Sequence, residues 1–217
     1  MDRWVVLDVG ETLIDETRIW GTWADVLGIP RLTFMAVLGA AIARGGQYNR
    51  IFDEFGIAEA TWRARVPEVE ERYGGFEPQD LYPDARRAVD ALAGLGYHVG
   101  LVANQPASRS GELRALGFDM ELIAMSDEMG VAKPDPAFFA RLLEMTGNPG
   151  AGQVAYAGDR VDNDVIPAAA AGMRAIWVRR GPWGMIQRAG NAQPALTVDS
   201  LDELVERIDE VWPAPGT

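Results

Sequence analysis

The chain contains no cysteine. That excludes disulfides, a thiolate nucleophile and a zinc–thiolate site. It has one histidine, His98, so a multi-histidine metal site is excluded too. His98 lies in the strand-like segment YHVGLVAN and reads as a packed or edge residue. The serines are Ser108, Ser110, Ser126 and Ser200, and none sits in the Gly-x-Ser-x-Gly elbow of an α/β-hydrolase. Lys133 is the sole lysine. Positive charge is scarce overall: 20 Lys and Arg face 32 Asp and Glu, a net charge of -12. This argues against non-specific nucleic-acid binding, favours solubility and leaves room for a locally positive pocket. No apolar run is long enough to span a bilayer, and MDRWVVLDVG is too short an apolar start for a secretory signal. A cytoplasmic protein is expected, with neither nucleic acid nor membrane as partner; oligomeric state is not legible. If the chain is an enzyme, its acid–base and nucleophilic work falls mainly to carboxylates.

What is present is well patterned. The 217 residues, 48% of them hydrophobic, suffice for one sizeable domain or a core with an insertion. Apolar runs at WVVLDV, HVGLVA, ELIAMS, QVAYAG and RAIWV read as strands. Between the later ones, SRSGELRALG, DPAFFARLLEMTG and DNDVIPAAAAGM read as helices, as does YPDARRAVDALAGLG, with Asp near its start and Gly at its end. Strand–helix alternation with short links predicts an α/β fold, a Rossmann-like parallel sheet with helices on both faces. Residues 14–81 break the pattern. They offer no convincing strand, and WGTWADVLG, TFMAVLGAAIARG, YNRIFDEFG and ATWRARVPEVEERYG read as helices. The predicted organisation is a core of residues 1–13 and 82–217 with a helical cap at 14–81. The tail WPAPGT reads as frayed.

In open parallel sheets, ligands bind beyond the carboxyl ends of the strands. Asp8 ends the first strand, Asn104 follows GLVA, Lys133 follows MSDEMGVA, and Asp159 ends VAYAG with Asp162 and Asp164 close behind. Each alone has a plain alternative as a helix cap, turn or surface residue. Together, carboxylates at two strand ends suit a hard cation such as Mg²⁺, and a nearby lysine suits an anionic oxygen.

The set Asp8 with Thr12-Leu13, LVANQ, AKPDPAFF and GDRVDNDVIPAAAAGM resembles the haloacid dehalogenase superfamily of hydrolases over nearly the whole chain. The resemblance implies a Rossmann-like core, a small helical cap and Mg²⁺-dependent hydrolysis of a small phosphorylated metabolite through an aspartyl-phosphate. By position, Asp8 would be nucleophile and metal ligand, with the Gly10 carbonyl and Asp159 as further ligands. Asp164 would support the metal or Lys133. Lys133 would neutralise charge on nucleophile and phosphate, and Asn104 would help hold the transferring group. Cations offset the repulsion between an attacking carboxylate and a phosphoryl group.

Two positions depart from the family's phosphatases. Their second Asp, which protonates the leaving oxygen, is Gly10 here, and their second-motif Ser or Thr is Ala103. Glu11 is a candidate substitute acid; the alternative is that it faces solvent or pairs with an arginine. Dehalogenases of the family need an aromatic hydroxyl at position 10. Phosphonate hydrolases need a cap lysine, and residues 14–81 hold none. A dehalogenase-like hydrolase and a non-catalytic relative that binds an anion or a partner protein remain as alternatives. Arg18, Trp20, Trp23, Arg44 and Tyr48 could face the site or pack the cap, and RRGPWG, residues 179–184, could border the site or turn the chain.

Overall fold

The computed structural model describes residues 2–45 and 49–213. Among these, six parallel strands form one sheet: β1 (Trp4–Leu7), β2 (His98–Ala103), β3 (Leu122–Met125), β4 (Val154–Gly158), β5 (Arg174–Val178) and β6 (Leu196–Val198), in the order β3-β2-β1-β4-β5-β6. The helices are α1 (Thr17–Val26), α2 (Arg31–Ala43), α3 (Arg50–Glu54), α4 (Glu59–Tyr73), α5 (Ala85–Gly94), α6 (Ser108–Ala115), α7 (Ser126–Met129), α8 (Pro136–Met145), α9 (Ile166–Ala170), α10 (Gly181–Ile186) and α11 (Leu201–Arg207).

The strands are continuously apolar because helices cover both faces of the sheet. Successive side chains point to opposite sides. Val5 and Leu7 enter an apolar cluster with Leu101, Ile176 and the inner faces of α5 and α11. Trp4 and Val6 enter another, with Tyr156, Trp177 and Phe138, Phe139 and Leu142 of α8. β1 is buried along its length and is paired in register with β2 through Leu7↔Leu101 and with β4 through Leu7↔Ala157. Residue 8 therefore emerges beyond a rigid sheet centre.

The structure corrects three sequence expectations. A sixth strand, β6, pairs with β5 through Ile176↔Leu196 and Val178↔Val198. Its three residues alternate too briefly to register alone and become a strand by pairing. The segment VDNDV, expected to open a helix, forms a π-turn at Val161–Val165 before α9. Trp212 of the expected frayed tail is buried. It stacks on Tyr97 at 5.6 Å and its indole N–H donates to the Gly152 carbonyl at 2.8 Å. Residues 214–217 lie outside the described residues.

Helices α1–α4 build a third apolar cluster, including Trp20, Phe34, Ile51, Phe52 and Trp62, into which Trp183 of α10 also packs. The two ends of this helical layer meet. Ile14 bridges Leu81, Asp15 N–H donates to the Asp80 carbonyl at 2.7 Å, and Tyr82 N–H to the Leu13 carbonyl at 2.9 Å. Arg18 locks this root, bonding the Asp80 carboxylate and the Tyr73 and Gly75 carbonyls. No single helix among the described residues is long and apolar enough to cross a membrane.

Candidate active site

The winding of the sheet reverses between β1 and β4, and a crevice opens there beyond the strand ends. Asp8 stands at that point, its N–H still in the ladder, donating to the Ala157 carbonyl at 2.8 Å. Asp159 follows β4 directly, and the π-turn carries Asp164 back beneath it. Lys133 lies between acids, Nζ 2.9 Å from Asp8 Oδ1 and 2.6 Å from Asp164 Oδ1. Asp164 Oδ2 accepts from the Arg160 N–H at 2.9 Å. Asp164 thus braces both the lysine and the loop that bears Asp159.

All four groups are buried, and burial works against the charged forms of Asp8, Asp159 and Lys133. It raises Asp8 to about 6, with the Lys133 charge opposing and the Asp164 charge adding. Burial, then the charges of Asp164, Asp8 and Glu11, holds Asp159 well above the usual carboxylate range. Burial opposes the charge on Lys133, but Asp164 and Asp8 outweigh it and raise its pKa well above the ordinary lysine value.

One lysine does not balance these carboxylates. Asp8, Asp159 and Asp164 each offer an oxygen within 4.8 Å of the others, and Asp159 Oδ2 is buried without a hydrogen-bond partner. An all-oxygen donor set with an orphaned carboxylate oxygen fits a hard divalent cation.

Two residues read from the sequence, Asn104 and Glu11, make contacts that the sequence did not show. Asn104 lines the cleft and also braces its neighbour. The Nδ2 donates to the Lys133 carbonyl and the Oδ1 accepts from the Lys133 N–H, each at 2.8 Å, so Asn104 holds the backbone that presents the lysine. Glu11 neither faces solvent nor pairs with an arginine. It is buried at a φ of 51°. Its Oε2 accepts from the Tyr82 hydroxyl at 2.6 Å and its Oε1 from the Glu16 N–H at 3.2 Å. Burial and the nearby Glu16 charge raise it to about 8. The carboxyl is tucked against Gly181, whose φ is 63° and where an added Cβ would lie 2.7 Å from Glu11 Cδ.

An added side chain at Gly10 would meet the ends of two neighbouring side chains. The Gly10 φ is not in the left-handed region, but a Cβ there would lie 3.0 Å from the carboxyl carbon of Glu16 and 3.3 Å from Gln105 Nε2. Glu16, the residue preceding α1, leans over Gly10 and accepts from Gln105 Nε2 at 3.1 Å. Burial raises its pKa above the usual carboxylate range.

The cleft above these groups has a volume of about 360 Å³, and it runs from Asp8, Lys133 and Asp159 to a wall of Trp20, Trp23, Trp62, Val66 and Trp183. Trp20 and Trp23 therefore face the site. Arg18 serves the root of the helical layer instead, and Arg44 pairs with Glu54 at the surface. Tyr48 lies outside the described residues. The stretch 179–184 borders the site through Trp183, while Arg180 turns inward to Asp84. Glu16, Gln105 and Trp62 line the cleft without having been foreseen. The available signal for Glu16 was the glycine at position 10, which leaves room for a neighbour.

A family model for haloacid dehalogenase-like hydrolases matches residues 3–172, from β1 through the π-turn and α9. The chain is 30% identical over 136 residues to "Haloacid dehalogenase-like hydrolase domain-containing protein 3" of Danio rerio, covering 62% of this chain and 55% of that one. It is 31% identical over 134 residues to a glyceraldehyde 3-phosphate phosphatase of Methanopyrus kandleri, covering 60% and 57% respectively. The matched stretch thus spans a little over half the length of these relatives. The crystal structure of a HAD phosphatase from Thermococcus onnurineus superposes with a TM-score of 0.62 at 24% identity, covering 95% of this chain and 97% of that one, a likeness of fold. With the family's motifs at the ends of β1, β2 and β4, and the family model matched across most of its length, the chain belongs to the haloacid dehalogenase-like hydrolases.

Proposed function

We propose that the chain hydrolyses phosphate monoesters of small metabolites, with the helical layer of residues 14–81 as a cap over the cleft. The observation that carries this is Asp8, a buried carboxylate facing the cleft with Lys133 Nζ at 2.9 Å and two further carboxylates within 4.8 Å. The phosphatase named among its relatives supports the same class. Asp8 attacks phosphorus, expels the alcohol and becomes an aspartyl-phosphate, which water then hydrolyses. Lys133 keeps Asp8 ionised and offsets the phosphoryl charge. Asp164 and Asn104 hold Lys133 in place. Asp8, Asp159 and the Gly10 carbonyl would hold Mg²⁺, with Asp164 in support, and the ion would neutralise phosphoryl oxygens as charge redistributes. The tryptophan wall excludes water and receives the leaving group.

Turnover of p-nitrophenyl phosphate, measured with Mg²⁺ and with a chelator, tests the reading. Metal-dependent release of nitrophenolate that vanishes in Asp8→Asn supports it. Halide release from a 2-haloacid without metal would select the dehalogenase-like alternative. Silence in both assays would select an anion- or partner-binding role.

A further inference from the structure

We infer that Glu16 is the proton donor to the leaving oxygen, delivered from the cap side of the cleft into the space that Gly10 leaves open. The inference rests on the phosphatase reading above and names the group that reading lacks.

Three observations converge on Glu16. Its Oε1 stands from the Cβ position of residue 10 at about the separation an aspartate's own carboxylate oxygen keeps from its Cβ. Glu16 therefore keeps a carboxyl oxygen within an aspartate's reach of position 10, and a side chain added there would displace the end of Glu16. The carboxyl also opens on the cleft that holds Asp8, Lys133 and Asp159. Finally, it is positioned from both ends: Gln105 donates to Oε1 at 3.1 Å, and the backbone N–H of Glu16 is held by Glu11 at 3.2 Å.

Glu11 is poorly placed for the same task. Both of its oxygens already accept hydrogen bonds from the scaffold, from Tyr82 and from Glu16 N–H. Its carboxyl packs against Gly181. Glu11 is the positioning residue, and Glu16 is the residue it positions.

The chemistry balances in two steps. An Asp8 oxygen forms a bond to phosphorus as the bond to the leaving oxygen breaks. The electron pair goes to that oxygen, which takes the Glu16 proton and departs as the alcohol. In the second step the water oxygen bonds to phosphorus as the Asp8–phosphorus bond breaks, and the proton that the water sheds passes through solvent to the Glu16 carboxylate. Phosphate leaves, Asp8 is a carboxylate again and Glu16 is reprotonated. The net change is monoester plus water to alcohol plus phosphate.

The test compares two esters in Mg²⁺: propyl phosphate, whose leaving oxygen needs a proton, and p-nitrophenyl phosphate, whose leaving oxygen does not. Glu16→Gln should lower propyl phosphate turnover by about 10²-fold or more, the usual contribution of a general acid, and change nitrophenyl phosphate turnover only a few-fold. Gly10→Ala, which pushes the Glu16 carboxyl aside, should show the same selective loss. The double variant Gly10→Asp with Glu16→Ala moves the acid to the family's usual position and should recover propyl phosphate turnover relative to Glu16→Ala. A merely structural Glu16 would lower both esters together, and that result overturns the inference. So does an alkyl-selective loss in Glu11→Gln that Glu16→Gln lacks. Wild-type turnover of nitrophenyl phosphate with equal rates in Glu16→Gln for both esters overturns the role of Glu16 while leaving the phosphatase reading standing. Absence of wild-type turnover of either ester overturns both.

Discussion

At the scale of single residues, Lys133 is the hinge of the charge distribution. It is the sole lysine of the chain and is buried between two acids, with its peptide groups held by Asn104. Lys133→Met keeps the length of the side chain and removes the cation. We expect turnover of an aryl phosphate to fall by about 10²–10³-fold, the scale of losing one preorganised electrostatic contact, and inhibition by inorganic phosphate to weaken with it. Far-ultraviolet circular dichroism should still report a folded chain. Unfolding of the variant with unchanged phosphate affinity in the residual folded fraction would assign Lys133 to the scaffold. Asn104 shows how a strand-end position conceals a second contact. Its place after β2 was legible, but the partner of its amide was not, because that partner is the backbone of a loop beyond β3.

At the scale of elements, the link between α5, α10 and α11 carries the clearest stability prediction. The Asp84 carboxylate, at the start of α5, accepts from Arg180 Nη1 at 2.9 Å and from the Leu201 N–H at 2.8 Å, and both charged groups are buried. Arg180 also donates to the Thr12 carbonyl at 3.1 Å, which ties the β5–α10 loop to the turn after β1. Burial pushes the Asp84 pKa up. The Arg180 hydrogen bonds and charge, with the Leu201 N–H, outweigh it and hold the carboxyl below its ordinary value. An unfolded Asp titrates near 3.9, so between the two values the unfolded chain binds the extra proton and stability rises with pH. The contribution is present above about pH 4 and is lost as pH falls through the lower folded value. Asp84→Asn leaves Arg180 buried without its counter-charge, which costs about 3–5 kcal/mol. The melting temperature at pH 7 should drop by roughly 6–20 °C. The gap to the parent should narrow in acid, and an equal gap at pH 7 and pH 3 would refute the assignment. These connections explain why RRGPWG both turns the chain and borders the cleft: Arg180 anchors the turn, and that anchoring delivers Trp183.

At the scale of the whole molecule, the helical layer is joined to the sheet core at its root, through Trp183 of α10 and through a lateral contact at Arg109. Arg109 of α6 reaches Glu70 of α4 at 2.6 Å, stacks near Tyr73 and Phe76, and holds Glu112, which accepts from the Phe76 N–H at 2.8 Å. Glu70 is partly exposed, so the ion pair adds no more than about 1 kcal/mol to global stability. Its larger effect is on the layer's local opening. Glu70→Gln should leave the melting temperature within a few degrees of the parent and speed amide exchange in residues 59–76 relative to the strands. Exchange that stays the same across those residues would show that the lateral contact does not restrain the layer.

The sequence by itself determined the α/β alternation, five of the strands, the helical stretch after β1 and the positions of acids at strand ends. Those features are local: an apolar run followed by a carboxylate is written in consecutive residues, and a continuously apolar strand announces a sheet covered on both faces. Only the tertiary structure decided which groups meet. Asp8 and Asp159 converge because β1 and β4 pair in parallel register. Asp164 reaches Lys133 because a π-turn, not a regular helix, follows Asp159. β6 exists through its pairing with β5, and Trp212 is ordered by Tyr97 and the Gly152 carbonyl. The exchange between Gly10 and Glu16 is the sharpest case. Gly10 looked like the loss of an acid, because a missing side chain is visible in a sequence and the occupant of its space is not. That occupant follows from how the chain turns between β1 and α1, where Ile14 meets Leu81 and Glu11 holds the backbone of Glu16.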